Sequence, residues 1–72
     1  MKATMKAREV RRRMARAAFA FLEARGFTLR EIARRAKLPY RSVYRWHAGE
    51  APHDRGLTKL WKLVKRVGEV KK

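Results

Sequence analysis

Thr28-Leu29-Arg30-Glu31-Ile32-Ala33-Arg34-Arg35-Ala36-Lys37-Leu38-Pro39-Tyr40-Arg41-Ser42-Val43-Tyr44-Arg45-Trp46-His47 is the stretch on which the fold turns. Thr28 and Glu31 have the spacing of a capping box: the hydroxyl accepts from the amide three residues on, and the carboxylate reaches back to the Thr28 amide. Leu29, Ile32, Ala33 and Ala36 then share one helical face for about two turns. Pro39 forbids continuation, because the residue before a proline is pushed out of helical geometry. Proline also suits the entrance of a new helix, where its missing N–H is not needed. That second helix runs from Tyr40 to His47 and ends at Gly49. Two short helices joined by a tight turn form the centre of the chain.

Longer helices are expected on both sides. From Thr4 to Arg25, Ala7, Val10, Met14, Ala17, Ala18, Phe21 and Leu22 fall on one stripe, with Arg8, Arg12, Arg13 and Arg16 projecting elsewhere. Gly26 supplies the left-handed stop. Phe19 breaks the pattern and reads as an exposed aromatic, one packed under another helix, or a partner contact. Glu50 to Gly56 is a loop with Pro52, and Asp54 is the expected cap of the last helix. There Leu57, Leu60, Trp61 and Val64 line a core face, with Leu63, Val67 and Val70 on a shoulder and Lys59, Lys62, Lys65 and Arg66 opposite. The expected fold class is therefore all-α: one compact four-helix domain over residues 1–72.

The chemistry concentrates on the third helix. Val43 and Trp46 face inward, while Tyr40, Arg41, Tyr44 and Arg45 cluster on the other side. A helix fits the DNA major groove, where arginine can pair bidentately with guanine O6 and N7. Tyrosine can donate to a phosphate or lie against a thymine methyl. A solvated basic face with its tyrosines packed on neighbours is the plainer alternative.

From Leu29 to Ala48 the sequence resembles the helix-turn-helix of the Cro and phage-repressor (Xre-like) family. Ala33 is the small residue needed where the two helices cross, and Ile32, Leu38, Val43 and Trp46 fill the apolar positions. There are departures: Lys37 stands at the usual turn glycine, at a cost on the order of 1 kcal/mol if left-handed. Pro39 replaces a Ser or Thr cap, and Leu29 replaces a frequent phosphate-binding glutamine. The family commonly has five helices, and here the last two read as compressed into one, giving four, or five if that segment divides. The resemblance implies base contacts from Tyr40, Arg41, Tyr44 and Arg45. It implies phosphate contacts from Thr28, Arg30, Arg34, Lys37, Ser42 and Arg55. The chain contains neither Asn nor Gln, so bidentate reading of adenine is unavailable; arginine on guanine, apolar contact with thymine and DNA shape remain. The same lack of amides suits a hot-growing host.

Composition bounds the rest. With 21 Lys+Arg against 6 Asp+Glu, the 72-residue chain carries a formal net charge of +15, which points to a polyanionic partner. No cysteine is present, so neither disulfides nor cysteine zinc sites staple a core worth about 3–5 kcal/mol. No apolar run approaches the roughly 20 residues of a membrane span. The longest one near the N-terminus, Ala17–Leu22, falls short of a secretory core of about 7–15. His47 and His53 lie near Glu50 and Asp54, but their spacing matches no metal pattern, and no activated nucleophile is evident. No enzymatic activity, cofactor or metal is expected.

The reading is a double-stranded DNA-binding protein of phage or prokaryotic type, a small transcriptional repressor in the cytoplasm of a prokaryotic cell or phage-infected host. It is expected to homodimerise through Leu63, Val67 and Val70, with assembly completed on DNA. A membrane-surface amphipathic helix over Lys6–Leu22 is disfavoured because the rest of the chain reads as a packed domain, so no membrane partner is expected, and two alternatives stand beside the main reading. One is a protein-binding regulator such as a polymerase inhibitor or antitoxin, gripping its partner with Phe19 and the Leu63 shoulder. The other is an orphan transposase- or recombinase-type module.

Overall fold

The computed structural model describes residues 6–69, which form α1 (Ala7–Ala24), α2 (Leu29–Ala36), α3 (Tyr40–His47) and α4 (Asp54–Gly68). The described part is all-helical, and no strand occurs in it. The first helix, expected from about Thr4, begins at Ala7, because Lys6 is extended (ψ 145°) at its N-cap; Thr4 itself lies outside the described residues. None of the described helices is long and apolar enough to cross a membrane.

One device ends the first three helices. At each stop a left-handed residue lets its own amide and the next one turn back onto the last carbonyls. Gly26 (φ 90°) donates to Glu23 O while Phe27 donates to Leu22 O. Gly49 (φ 126°) does the same with Trp46 O, and Glu50 with Arg45 O. Lys37 occupies the equivalent place after α2, at φ 60° and ψ 48°, with Leu38 donating to Ala33 O. Of the two possibilities at this position, a left-handed lysine or a different turn, the first is present.

α1 rests on α3 and α4, and α2 on the same two helices. The core draws on all four, with Leu22, Ile32, Val43, Leu60 and Leu63 among its fully enclosed side chains. This arrangement corrects the expected face of α1. Ala15, Ala18, Phe19 and Leu22 are buried, whereas Val10, Met14 and Ala17 are exposed and Phe21 is half-buried. Phe19, only 3% exposed, is core and meets the His47 ring edge-on at 5.4 Å. The physical reason is that α1 touches two helices. Alanine at positions 15 and 18 lets the backbones approach, and the phenylalanine fills the space beneath the end of α3.

α4 is corrected in the same way. Leu63 is 2% exposed and belongs to the core, so it is not available for a dimer interface. Val67 is half-buried against the same core, and Val70 lies outside the described residues. α4 packs on both α1 and α2, so its buried arc is wider than one neighbour would require. Trp61, expected inside, is half-buried at the border, where its Nε1–H donates to Met14 O at 3.2 Å.

The cap of α4 also differs from expectation. His53, not Asp54, is the N-cap: its Nδ1 accepts from the Gly56 amide at 3.0 Å. Asp54 sits in the first turn, 3.4 Å from Arg11, a favourable place for a carboxylate beside the helix N-terminus. Arg11 Nε also donates to Pro52 O at 2.8 Å, tying the α3–α4 loop to α1.

The Trp46 ring covers Gly56 so closely that a Cβ there would collide with Cη2 and lie 2.9 Å from Cζ2. We expect Gly56→Ala to lower the unfolding free energy by about 1–3 kcal/mol, the usual range for an overpacked core. Urea unfolding followed by Trp fluorescence measures it, and a loss below 0.5 kcal/mol would show that the ring moves aside freely.

Candidate nucleic-acid interface

The face that α3 presents follows from what anchors it. Val43 and Trp46 are buried, so the opposite side of this two-turn helix must face outward. Tyr40 and Tyr44 are 43% and 57% exposed, with ring centroids 6.3 Å apart, and Arg41 and Arg45 are exposed beside them. The four expected base-contacting residues therefore share one outward surface. Ser42 is half-buried at its edge. Pro39, with φ −63°, supplies no side-chain cap, so nothing from its own side chain covers the first α3 amides.

A groove of about 550 Å³ runs between the starts of α2 and α3, lined by Thr28, Arg30, Glu31, Arg34, Leu38 and Tyr40 among others. The Arg30 guanidinium lies 5.1 Å from the centre of the Tyr40 ring, the distance of a cation–π contact. Three of the expected phosphate contacts, Thr28, Arg30 and Arg34, thus meet in one place. Thr28 is already engaged: its oxygen accepts from the Glu31 amide at 3.2 Å, and its own amide donates to Glu31 Oε1 at 3.0 Å. The capping box expected from the sequence is complete, and Thr28 and Glu31 frame the groove rather than add positive charge to it.

Two other expected contacts lie elsewhere. Lys37 lines a separate depression with Arg35, Lys59, Lys62 and Arg66 at the α2–α4 junction. Arg55 is exposed on the first turn of α4, outside the α2–α3 groove.

The charge is strongly one-sided. Among the described lysines and arginines, only Arg11 and Arg45 have a carboxylate oxygen within 4 Å. Arg45 Nε is 3.7 Å from Glu50, with both side chains more than 60% exposed. Such a pair is worth at most about 1 kcal/mol, so a stronger acceptor displaces Glu50 readily. No group of three His, Cys, Asp or Glu that could hold a metal ion occurs among the described residues.

The sequence reading missed one polar cleft. Arg12 and Arg16 of α1 face the end of α3, where His47 Nε2 lies 3.0 Å from Glu23 Oε2. Arginines four apart on one helix were visible, but nothing local links them to a histidine more than thirty positions away. Comparisons of the chain with protein-family models, with curated proteins and with solved structures gave no match.

Lys37→Gly tests the strain in the turn on which the α2–α3 angle depends. Removing a left-handed side chain relieves about 1–2 kcal/mol, and the added freedom of glycine takes back about 0.5–1. The variant should be more stable by up to about 1.5 kcal/mol in thermal unfolding. A destabilised variant would mean that the lysine chain makes a compensating contact.

Proposed function

We propose that the chain binds double-stranded DNA, with α3 in the major groove and the start of α2 against the backbone, and that it represses transcription by occupying its site. One observation carries the reading: Tyr40, Arg41, Tyr44 and Arg45 stand on a single exposed face of a helix whose other face is locked into the core, on a chain of net charge +15. A rigid helix bearing guanidiniums is suited to guanine edges, and the adjoining Arg30 and Arg34 are suited to phosphates. The resemblance of Leu29–Ala48 to the Cro and phage-repressor family supports the same reading. In it, Arg41 and Arg45 carry sequence information, while Tyr40 and Tyr44 contact thymine methyls or flanking phosphates.

A second reading, contact with a protein, loses Phe19 and Leu63, which are core, while Val67 is half-buried and Val70 lies outside the described residues. It keeps one supporting observation: Val10 and Met14 are exposed, and Met14 and Trp61 line a groove of about 330 Å³ bordered by Lys62 and Lys65.

Binding to duplexes selected from a random pool tests the main proposal. With about 6 phosphates neutralised, the log–log salt slope should be on the order of −5 per protomer. Arg41→Ala should reduce discrimination at a guanine position by about 1–3 kcal/mol. A slope near −1, or equal losses on every sequence, would overturn the assignment.

A further inference from the structure

Two of the expected phosphate contacts, Lys37 and Arg55, lie outside the α2–α3 groove, and both belong to one surface along α4. Arg55, Lys59, Lys62 and Arg66 are spaced i, i+4, i+7 and i+11, so they fall within about 60° of arc on that helix. All four are exposed, and the row is about 16 Å long at 1.5 Å per residue. Arg35 and Lys37, exposed on the neighbouring end of α2, widen it. With Lys59, Lys62 and Arg66 they line a depression of about 200 Å³ that has the buried Ala36 and Leu63 behind it.

This charge has no local counterweight. Between Asp54 and Glu69, at its two ends, α4 contains no carboxylate, and Asp54 is held by Arg11 at 3.4 Å. None of the six cations has a carboxylate oxygen within 4 Å among the described residues. Like charges three and four residues apart on a helix repel, so the row works against the free protein. Arg35 and Arg66 stand in the last turns of α2 and α4, where the helix dipole accepts a cation. Lys59 and Lys62 lie mid-helix without that support, and Arg55, in the first turn, is opposed by it. Lys37 keeps its side chain at φ 60°, where Gly26 and Gly49 stand at the equivalent stops. The α2 carbonyls beside it already accept from the Lys37 and Leu38 amides.

α1 and α2 each pack on both α3 and α4, which sets α3 and α4 on opposite sides of the domain, joined at the corner where Trp46 meets Gly56. A duplex seated on the outer face of α3 therefore leaves Lys59, Lys62 and Arg66 clear. The α3 face and its groove use only Arg30, Arg34, Arg41 and Arg45 of the 21 lysines and arginines in the chain. We infer that the α4 row is a second nucleic-acid surface, holding the phosphate backbone of a separate duplex so that one protomer bridges two; this role rests on the DNA reading above. Lysines on flexible stems meet phosphates as point charges, and duplex DNA offers one negative charge about every 1.7 Å. The row carries no aromatic side chain, and contacts confined to the backbone leave it indifferent to sequence.

Capture of a second duplex on beads tests this. Beads carrying a short duplex of a site selected as above are loaded with the full-length chain and washed. A fluorescent duplex of scrambled sequence is then added over about 50 to 200 mM salt. We expect the wild type to retain it. Lys59→Gln/Lys62→Gln/Arg66→Gln should retain on the order of tenfold less or lower, with a log–log salt slope flatter by about 3, and Lys62→Gln alone with one flatter by about 1. Arg8→Gln/Arg13→Gln/Arg16→Gln, which removes the same charge from exposed positions of α1, should retain as much as the wild type. Both triple variants should load the selected site equally. Beads that load the protein but retain no second duplex would overturn the bridge and spare the DNA reading. Equal losses in the two triple variants would reduce the row to diffuse attraction and overturn it. Undiminished retention by the α4 variant would assign bridging to a protein dimer, and failure of that variant to load would place the row in the first site; either overturns a second surface. A chain that loads on no duplex overturns both readings.

Discussion

The contact of the Trp46 ring with Gly56 governs how the other parts are placed. It joins the last turn of α3 to the first turn of α4, and His53 closes the corner by meeting Trp46 edge-on at 5.5 Å and capping the Gly56 amide. Arg11 then holds the intervening loop to α1 through Pro52 O. With the inner face of α3 fixed by Trp46 and Val43, its outer face is left no freedom of orientation. An eight-residue helix has little stability of its own in water. What gives α3 a fixed orientation is therefore tertiary anchoring, in which an indole needs a neighbour without a Cβ.

Charge is the second constraint. A chain of this size has a small core, and +15 of net charge opposes its compaction. Carboxylates are too few to pair the arginines, and several guanidiniums lie over rings instead: Arg25 over Phe21 at 3.8 Å, Arg30 over Tyr40 at 5.1 Å and Arg35 over Phe27 at 5.3 Å. These contacts cover partly exposed aromatics with the flat face of a cation that keeps its outer edge in water. The fold therefore tolerates the charge without neutralising it. Any polyanion that binds the folded form preferentially would add stability by mass action, coupling the proposed function to the integrity of the fold.

Much of this was legible locally, where covalent geometry and hydrogen bonds between near neighbours decide the outcome. The capping box at Thr28 and Glu31, the break at Pro39, the left-handed stops at Gly26 and Gly49 and the bounds of α3 follow from residues within one turn of each other. So does the outward grouping of Tyr40, Arg41, Tyr44 and Arg45, because Val43 and Trp46 already define the inner side.

Where a helix meets two neighbours, periodicity alone misjudged the buried arc. Met14 and Leu63 both lie on apolar stripes, yet Met14 is 42% exposed while Leu63 is enclosed between α1 and α2. By helical angle Phe19 falls on the arginine side of α1, beside Arg8 and Arg12, and only the position of α3 above it makes it core. The cap passed from Asp54 to His53 because the imidazole is held beside Trp46, a contact between residues on different elements. The sequence by itself determined the helices, their stops and the basic, aromatic face of α3, since these depend on interactions within a few residues. Only the tertiary structure decided which apolar side chains are buried, which arginines share a cleft and which surfaces remain open, since these depend on helices packed against one another across the whole chain.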